Sequence, residues 1–144
     1  MPSPSPKQRV ALITNCEHGF QIYRANRELM GSCDGIIANL TPFRGVSADP
    51  GTVFEVGYMI GQGKLLLGFT LDSRRYFERA GGVPSDERGH IIENFDLSDN
   101  LMIECGLEDS GGTLVKNDRA LSDGFFSSAL FEQCVVLMAR KFNG

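Results

Sequence analysis

Residues 34–70 read DGIIANLTPFRGVSADPGTVFEVGYMIGQGKLLLGFT. Two apolar runs, Asp34–Leu40 and Lys64–Thr70, flank a segment with helical character. A near-continuous apolar run is typical of a strand that is covered on both faces of its sheet. Since two strands joined through a helix pair in parallel, this stretch predicts a β-α-β unit with a parallel sheet.

The helix of this unit has clear start and stop signals. Asp49 suits the N-cap and Pro50 the first helical position. The helix should run to about Gln62, and Gly63 can end it. The preceding segment Thr41–Ala48 is a loop rich in turn formers. Because ligands of an open parallel sheet bind beyond the carboxyl ends of its strands, this loop and the helix start are the expected site.

The rest of the chain predicts more elements around this unit and no internal repeat. The fold class is α/β, a small three-layer Rossmann/flavodoxin-like fold with a central parallel sheet. Elsewhere the pattern predicts a short strand at Val10–Thr14, a helix from about Gln21 to Ser32, a charged loop at Leu71–Gly89 with a helical turn around Arg75–Arg79, an apolar segment at Asn100–Ile103 and a closing helix from Ser122 to Phe142.

Length and composition favour one globular domain. The chain has 144 residues with 42% hydrophobic residues, which predicts a single domain over 9–144. The start of the chain, MPSPSP, has no apolar region and predicts a disordered tail over residues 1–8. The formal charge is −4 and the 14 Lys and Arg residues are scattered, which argues against binding of polymeric DNA or RNA. No apolar stretch approaches the roughly 18–20 residues of a membrane helix.

The cysteines and histidines form no metal-binding pattern. The four cysteines are far apart, and His18 and His90 add no ligand spacing, so neither a metal nor a cofactor is expected. Reduced, mostly buried thiols in a cytoplasmic protein are the favoured interpretation. The absence of GxGxxG, GxSxG and HExxH motifs weakens the hypotheses of a dinucleotide oxidoreductase, a serine hydrolase and a zinc protease.

Two carboxylates stand out in the predicted helix. Glu55 is the only charged residue between Asp49 and Lys64, and Gly51 one turn earlier leaves space behind it. Glu55 is either the solvent-facing spot of the helix or a site residue, because burying it unpaired would be costly. Asp49 could be a plain N-cap, but six residues place the pair about 9 Å apart along the axis. Such a pair suits acid/base and nucleophilic chemistry at a glycosidic centre.

The motif order across this region resembles the nucleoside 2-deoxyribosyltransferases. The resemblance covers most of the chain from Gln21 to about Leu107 and is more specific than any isolated pair of residues. It rests on DGIIANLTPFRG at 34–45, DPGT at 49–52, EVG at 55–57 and GK at 63–64, with weaker matches in IYRAN at 22–26 and DNLMI at 99–103.

The resemblance implies roles for individual residues. It implies that Glu55 is the nucleophile and that Asp49 binds and protonates the base. Asn26 would hold the base where the best-studied relatives carry Asp, and Asn100 would contact the sugar from a neighbouring subunit. A homo-oligomer with shared active sites, acting on deoxynucleosides and free nucleobases without a cofactor or metal, is therefore implied. The candidate substrate-binding residues are Tyr23, Asn26, Gly51, Asn100 and Met102.

The sequence departs from the family pattern at its start, and two alternative functions stay open. Family members usually begin with a strand ending in a Tyr-(Leu or Ile)-Ala-Gly-Pro-like turn, whereas only Val10–Thr14 precedes the Gln21 helix here. Either a shorter start replaces the family's first strand or the sheet lacks that strand. A hydrolase of deoxynucleosides or their 5′-monophosphates is one alternative to transfer. Arg44 is the only basic residue of the motif loop, which favours free nucleosides. A non-catalytic nucleotide-binding module is the second alternative.

Overall fold

The computed structural model describes residues 16–118 and 124–144, and the chain divides after Cys33 into two compact units. The strand predicted at Val10–Thr14 and the tail predicted over residues 1–8 lie outside the described residues.

The described part of the first unit is the helix α1, Cys16–Ser32. The predicted helix ended at the same residue but began at Gln21, so the structure extends it toward the N-terminus. Glu17 lies in the added first turn, where a negative charge interacts favourably with the helix dipole. The ring of Phe20 lies 5.9 Å from the guanidinium of Arg24 one turn later, which adds a local contact that the apolar pattern did not include.

The second unit contains the β-α-β arrangement that the sequence predicts. Its elements are β1 (Gly35–Asn39), α2 (Pro50–Gly61) and β2 (Leu65–Thr70). β1 and β2 pair in parallel, with Gly35 opposite Leu65 and Asn39 opposite Phe69. Gly63 follows the helix with a φ of 65°, a conformation in which glycine carries no steric penalty. The parallel β-α-β unit is confirmed.

The next segment contains one predicted and two unpredicted elements. The helical turn predicted around Arg75–Arg79 is present as α3, Tyr76–Arg79. The segment predicted only as apolar at Asn100–Ile103 opens a helix, α4 (Leu101–Asp109), with Asn100 as its N-cap. A strand of three residues, β3 (Leu114–Lys116), then pairs in parallel with β2, and such a short run carries no periodicity that could reveal it.

The sheet order is β1-β2-β3, and helices cover both of its faces. α5, Ser128–Asn143, packs its buried side chains Leu130, Cys134 and Met138 against Leu67 and Phe69 of β2. α2 and α4 pack against each other and against the sheet. Successive strand residues point to opposite faces, so Leu66 faces away from the α5 side. This is the predicted three-layer α/β fold.

The closing helix begins later than predicted. Its predicted start at Ser122 lies among residues 119–123, outside the described part, and 124–127 are not helical. Gly124 has a φ of 117°, which lies outside the helical range. The Ser127 side chain acts as an N-cap, because it accepts a hydrogen bond from the N–H of Leu130. The cap, which the apolar spacing does not show, sets the start of α5 at Ser128.

A glycine permits a close approach where the chain returns from α4 to β3. A Cβ placed on Gly112 would lie 2.2 Å from the carbonyl oxygen of Leu66, closer than any real contact. The connection therefore lies directly against β2, at a distance that only glycine allows.

The thiols differ in exposure, which corrects the expectation that most are buried. Only Cys134 is buried, with its Sγ 3.6 Å from the carbonyl oxygen of Gly68, and burial raises its pKa. Cys16 and Cys105 are exposed, and all four cysteines are free. None of the helices in residues 16–118 and 124–144 combines the length and apolar character needed to cross a membrane.

Candidate functional site

Asp49 caps α2 with one of its two carboxylate oxygens. Its Oδ2 accepts hydrogen bonds from the backbone N–H of Thr52 at 3.0 Å and from the Thr52 hydroxyl at 3.3 Å. Its Oδ1 has no hydrogen-bond partner among the described residues, and the side chain is half-buried. The N-cap role predicted for Asp49 is thus confirmed, and it does not occupy the whole carboxylate.

Glu55 is half-buried on α2 and has no hydrogen-bond or ion-pair partner within residues 16–118 and 124–144. Its neighbour Val56 and, one turn later, Met59 are the two buried residues of this helix. No arginine neutralises the Glu55 carboxylate in this part of the chain. A carboxylate so placed can accept a hydrogen bond or attack an electrophile.

Gly51 lies beside the Asp49 carboxylate. A Cβ on Gly51 would lie 3.0 Å from Asp49 Oδ2, a distance that requires the neighbour to shift. The sequence indicated that Gly51 leaves open space behind Glu55. In the structure, a side chain at position 51 would instead crowd the carboxylate of Asp49. Gly51 therefore preserves the position of the cap.

A groove of about 810 Å³ runs along the other side of α2. Residues of a helix follow one another at 100° intervals, so Pro50, Val53, Gly57 and Ile60 share one face and Glu55 projects from the opposite one. The groove is lined by Pro50, Val53, Gly57 and Ile60 of α2 and by Asn100, Met102 and Gly106 near and within α4. Asp49 caps α2, Gly51 and Glu55 lie on it, and Asn100 and Met102 of the same chain lie across that helix from Glu55.

The amide of Asn100 is engaged at both ends. Its Oδ1 accepts a hydrogen bond from the N–H of Met102 at 3.0 Å, and its Nδ2 donates to Oε1 of Glu93 at 2.7 Å. Oε2 of Glu93 accepts from the N–H of Leu101 at 3.2 Å. The Met102 side chain is 74% exposed. The Asn100 side chain is therefore held at both ends, whereas Met102 is exposed and presents an apolar surface outward.

Tyr23 and Asn26 lie on α1, in the first unit. The ring of Tyr23 lies 5.8 Å from the guanidinium of Arg27, one turn along the helix. Asn26 is exposed. An exposed amide can both donate and accept, which is the chemistry needed to hold the edge of a base.

A buried polar network surrounds the loop before Asp49, and sequence reasoning missed it. The side chains of Arg79 and Asp99 are each 4% exposed, and Arg79 Nη2 lies 3.9 Å from Asp99 Oδ2. Burial lowers the pKa of Arg79, while the charge of Asp99 acts in the opposite direction. The only sequence signal for this network was that Asp99 lies in the DNLMI segment, next to Asn100. Nothing in the sequence pointed to Arg79.

The position of Arg44 bears on the alternative function in which the substrate carries a 5′-phosphate that binds at the motif loop. It is an exposed residue with a φ of 54°, and its guanidinium lies 4.8 Å from the ring centre of Phe43. In the described part of the chain, no group of three or more acidic, histidine or cysteine side chains is placed to hold a metal. A lone exposed guanidinium does not form a phosphate pocket, which needs several converging donors.

A parallel sheet with helices on both faces defines an α/β protein, a class whose ligands bind at the carboxyl edge of the strands, and α2 with its N-cap begins at this edge. The nucleoside 2-deoxyribosyltransferase family model matches residues 4–102. The chain therefore belongs to the nucleoside 2-deoxyribosyltransferase family.

Two individual proteins are similar to this chain. A solved 2-deoxyribosyltransferase from Leishmania mexicana is 33% identical with a TM-score of 0.62, and the match covers 84% of this chain and 67% of that one. An uncharacterized protein from Schizosaccharomyces pombe is 35% identical, with 79% of this chain and 64% of that protein matched. This chain thus spans less than two thirds of the length of the Schizosaccharomyces pombe relative.

Proposed function

We propose that this chain transfers 2-deoxyribose between nucleobases through a covalent deoxyribosyl ester of Glu55. Membership of the family supports the reaction class, and the structure of the 2-deoxyribosyltransferase from Leishmania mexicana has the same fold. The observation that carries the proposal is the half-buried Glu55 carboxylate, which has no partner in the described residues and shares a helix with Asp49. The substrates would be free deoxynucleosides and free bases.

The proposed reaction is a double displacement. A carboxylate oxygen of Glu55 attacks C1′ while the C1′–N bond breaks, and the base leaves with that electron pair and a proton from Asp49. A nitrogen of a second base then attacks C1′, the ester bond to Glu55 breaks and Asp49 takes the proton of the incoming base. The Asp49 oxygen that makes no hydrogen bond within the described residues is the one available for these proton transfers.

Trapping of the ester tests the mechanism. A 2′-fluoro-2′-deoxynucleoside should add one fluorinated sugar to the intact protein, and peptide mapping should place it on Glu55. Glu55→Gln should abolish both the adduct and base exchange. Glu108→Gln, an exposed glutamate on α4, is the matched control and should retain both. Unchanged turnover in Glu55→Gln would refute the covalent mechanism.

The acceptor distinguishes transfer from hydrolysis. A deoxynucleoside supplied with a second free base should yield the exchanged nucleoside, and without that base it should remain mostly intact. Release of free sugar at equal rates in both cases would identify the hydrolase instead. Failure to turn over or label any deoxynucleoside would favour the non-catalytic binding module.

We also propose that Asn100 and Met102 serve the active site of a second copy. They line the groove across α2 from Glu55, so one chain does not bring them to its own nucleophile. Glu55→Gln and Asn100→Ala variants, each inactive alone, should recover about a quarter of wild-type activity when mixed as a randomly exchanging dimer. Recovery of no activity, or a monomer by light scattering, would exclude a shared site. Tyr23 and Asn26 would contact the base.

A further inference from the structure

Arg79 and Asp99 form a buried ion pair between two segments that carry candidate site residues. Their charged groups are 3.9 Å apart and both side chains are 4% exposed. Burying two charges is costly unless their remaining donors and acceptors are also used. The other hydrogen bonds of Arg79 and Asp99 therefore identify the backbone segments that this ion pair fixes.

On one side the pair holds the backbone directly before Asp49. Arg79 Nε donates to the carbonyl oxygen of Val46 at 2.9 Å. Asp99 Oδ2 accepts from the N–H of Ala48 at 2.9 Å, and its Oδ1 accepts from the hydroxyl of Ser47. Three consecutive residues, 46–48, are thus fixed by two side chains that lie far away in the sequence.

On the other side the pair holds the segment that leads into α4. Arg79 Nη2 donates to the carbonyl oxygen of Ser98, and Asp99 Oδ1 accepts from the N–H of Asn100 at 2.7 Å. The N–H of Ser98 is itself held by Oε2 of the buried Glu104 at 2.6 Å. The ion pair therefore connects the N-cap of α2 to the N-cap of α4.

We propose that Arg79 and Asp99 are positioning residues that fix the backbone of residues 46–48 and so place the Asp49 carboxylate for proton exchange with the base. This inference rests on the proposed function, and neither side chain needs to touch the substrate. The guanidinium reaches several carbonyl oxygens in a planar fork, a geometry that the single ammonium of lysine does not reproduce.

The test compares Arg79→Lys with Asp72→Asn. Asp72 pairs with Arg74 at 2.7 Å on the same segment, and its hydrogen bonds do not reach residues 46–48 or 98–100, so it is a matched control. The turnover rate is divided by the amount of protein whose Glu55 carries the 2′-fluoro sugar once labelling is complete. This normalisation removes any loss of folded protein, which a merely structural role would cause.

Arg79→Lys should label to the same final extent as the wild type, yet its kcat per labelled site should fall about 10–100-fold because Asp49 is misplaced. The KM for the deoxynucleoside should change less than kcat, because the substitution removes no group that itself contacts the nucleoside. Asp72→Asn should keep a kcat within about twofold of the wild type. Equal kcat per labelled site in Arg79→Lys and Asp72→Asn overturns the inference.

Ser47→Ala decides the question if Arg79→Lys does not fold. It removes one hydrogen bond to Asp99 and leaves the ion pair in place, so its kcat per labelled site should fall about 3–10-fold. No fall overturns the inference. A wild-type protein that neither labels nor exchanges bases overturns the proposed function and this inference together, whereas an active wild type with unaffected variants overturns only the role of the pair.

Discussion

Substitution of Asp49 separates its capping role from its proposed role in proton transfer. Asn and Ser can accept the hydrogen bond that Thr52 now donates to Oδ2 at 3.0 Å, and Ala cannot. Asp49→Ala should therefore lower the free energy of unfolding by about 1 kcal/mol, or about 3 °C in Tm for a chain of this size. Asp49→Asn and Asp49→Ser should change stability little, because these residues are comparable N-caps.

The effect on turnover should follow a different order. All three substitutions remove the titratable acid, so each should lower kcat for base exchange about 100- to 10,000-fold. That loss corresponds to about 3–5 kcal/mol in the activation barrier, well above the capping energy. Thermal unfolding followed by circular dichroism gives the stability, and chromatographic separation of nucleosides gives the rate of exchange.

Ser127→Ala is the matched control for Asp49→Ala. Ser127 caps α5 through a hydrogen bond from the N–H of Leu130 at 3.3 Å, so its loss should cost about 1 kcal/mol of stability with base exchange retained. Should Asp49→Asn exchange bases within about threefold of the wild-type rate while Asp49→Ala does not, the carboxylate is only a cap and the proposed proton transfer is refuted.

Three further predictions concern stability and thiol chemistry. Gly112→Ala should lower the free energy of unfolding by about 3 kcal/mol or prevent folding, since its Cβ would lie 2.2 Å from the Leu66 carbonyl oxygen; a urea titration that shows no loss would contradict this. Burial acts to raise the pKa of Asp72, but the hydrogen bonds and charge of Arg74, together with the charge of Arg79, outweigh it and the pKa lies below its ordinary value. The stabilisation from Asp72 is therefore present above about pH 4 and lost as the pH falls through the lower folded-state pKa, so Asp72→Asn should flatten the acid limb of stability against pH. Cys134 should react with a thiol reagent only on unfolding, because it is fully buried; rapid reaction in the native protein would show that α5 opens.

The sequence predicted those parts of the fold that local chemistry encodes. Asp49-Pro50 marks a helix start through side-chain capping and a fixed φ, and both act within one turn. The two apolar runs around this helix predict buried parallel strands, which the structure confirms in register from Gly35 opposite Leu65. By contrast, β3 has only three residues, and its place beside β2 depends on tertiary contacts with no local signature.

The same distinction applies to the candidate site. The family motifs identify Asp49 and Glu55 because these residues lie six positions apart in one helix, so one stretch of sequence contains both. What holds the backbone directly before Asp49 is encoded elsewhere: the hydrogen bond from Ala48 to Asp99 spans 51 positions, and that from Arg79 to Val46 spans 33. Arg79 is one of four arginines in the charged loop at 71–89, and nothing in the sequence shows that its side chain is the one that will be buried. Substitutions there should therefore impair turnover at a site whose motif is intact, which the Arg79→Lys comparison measures directly.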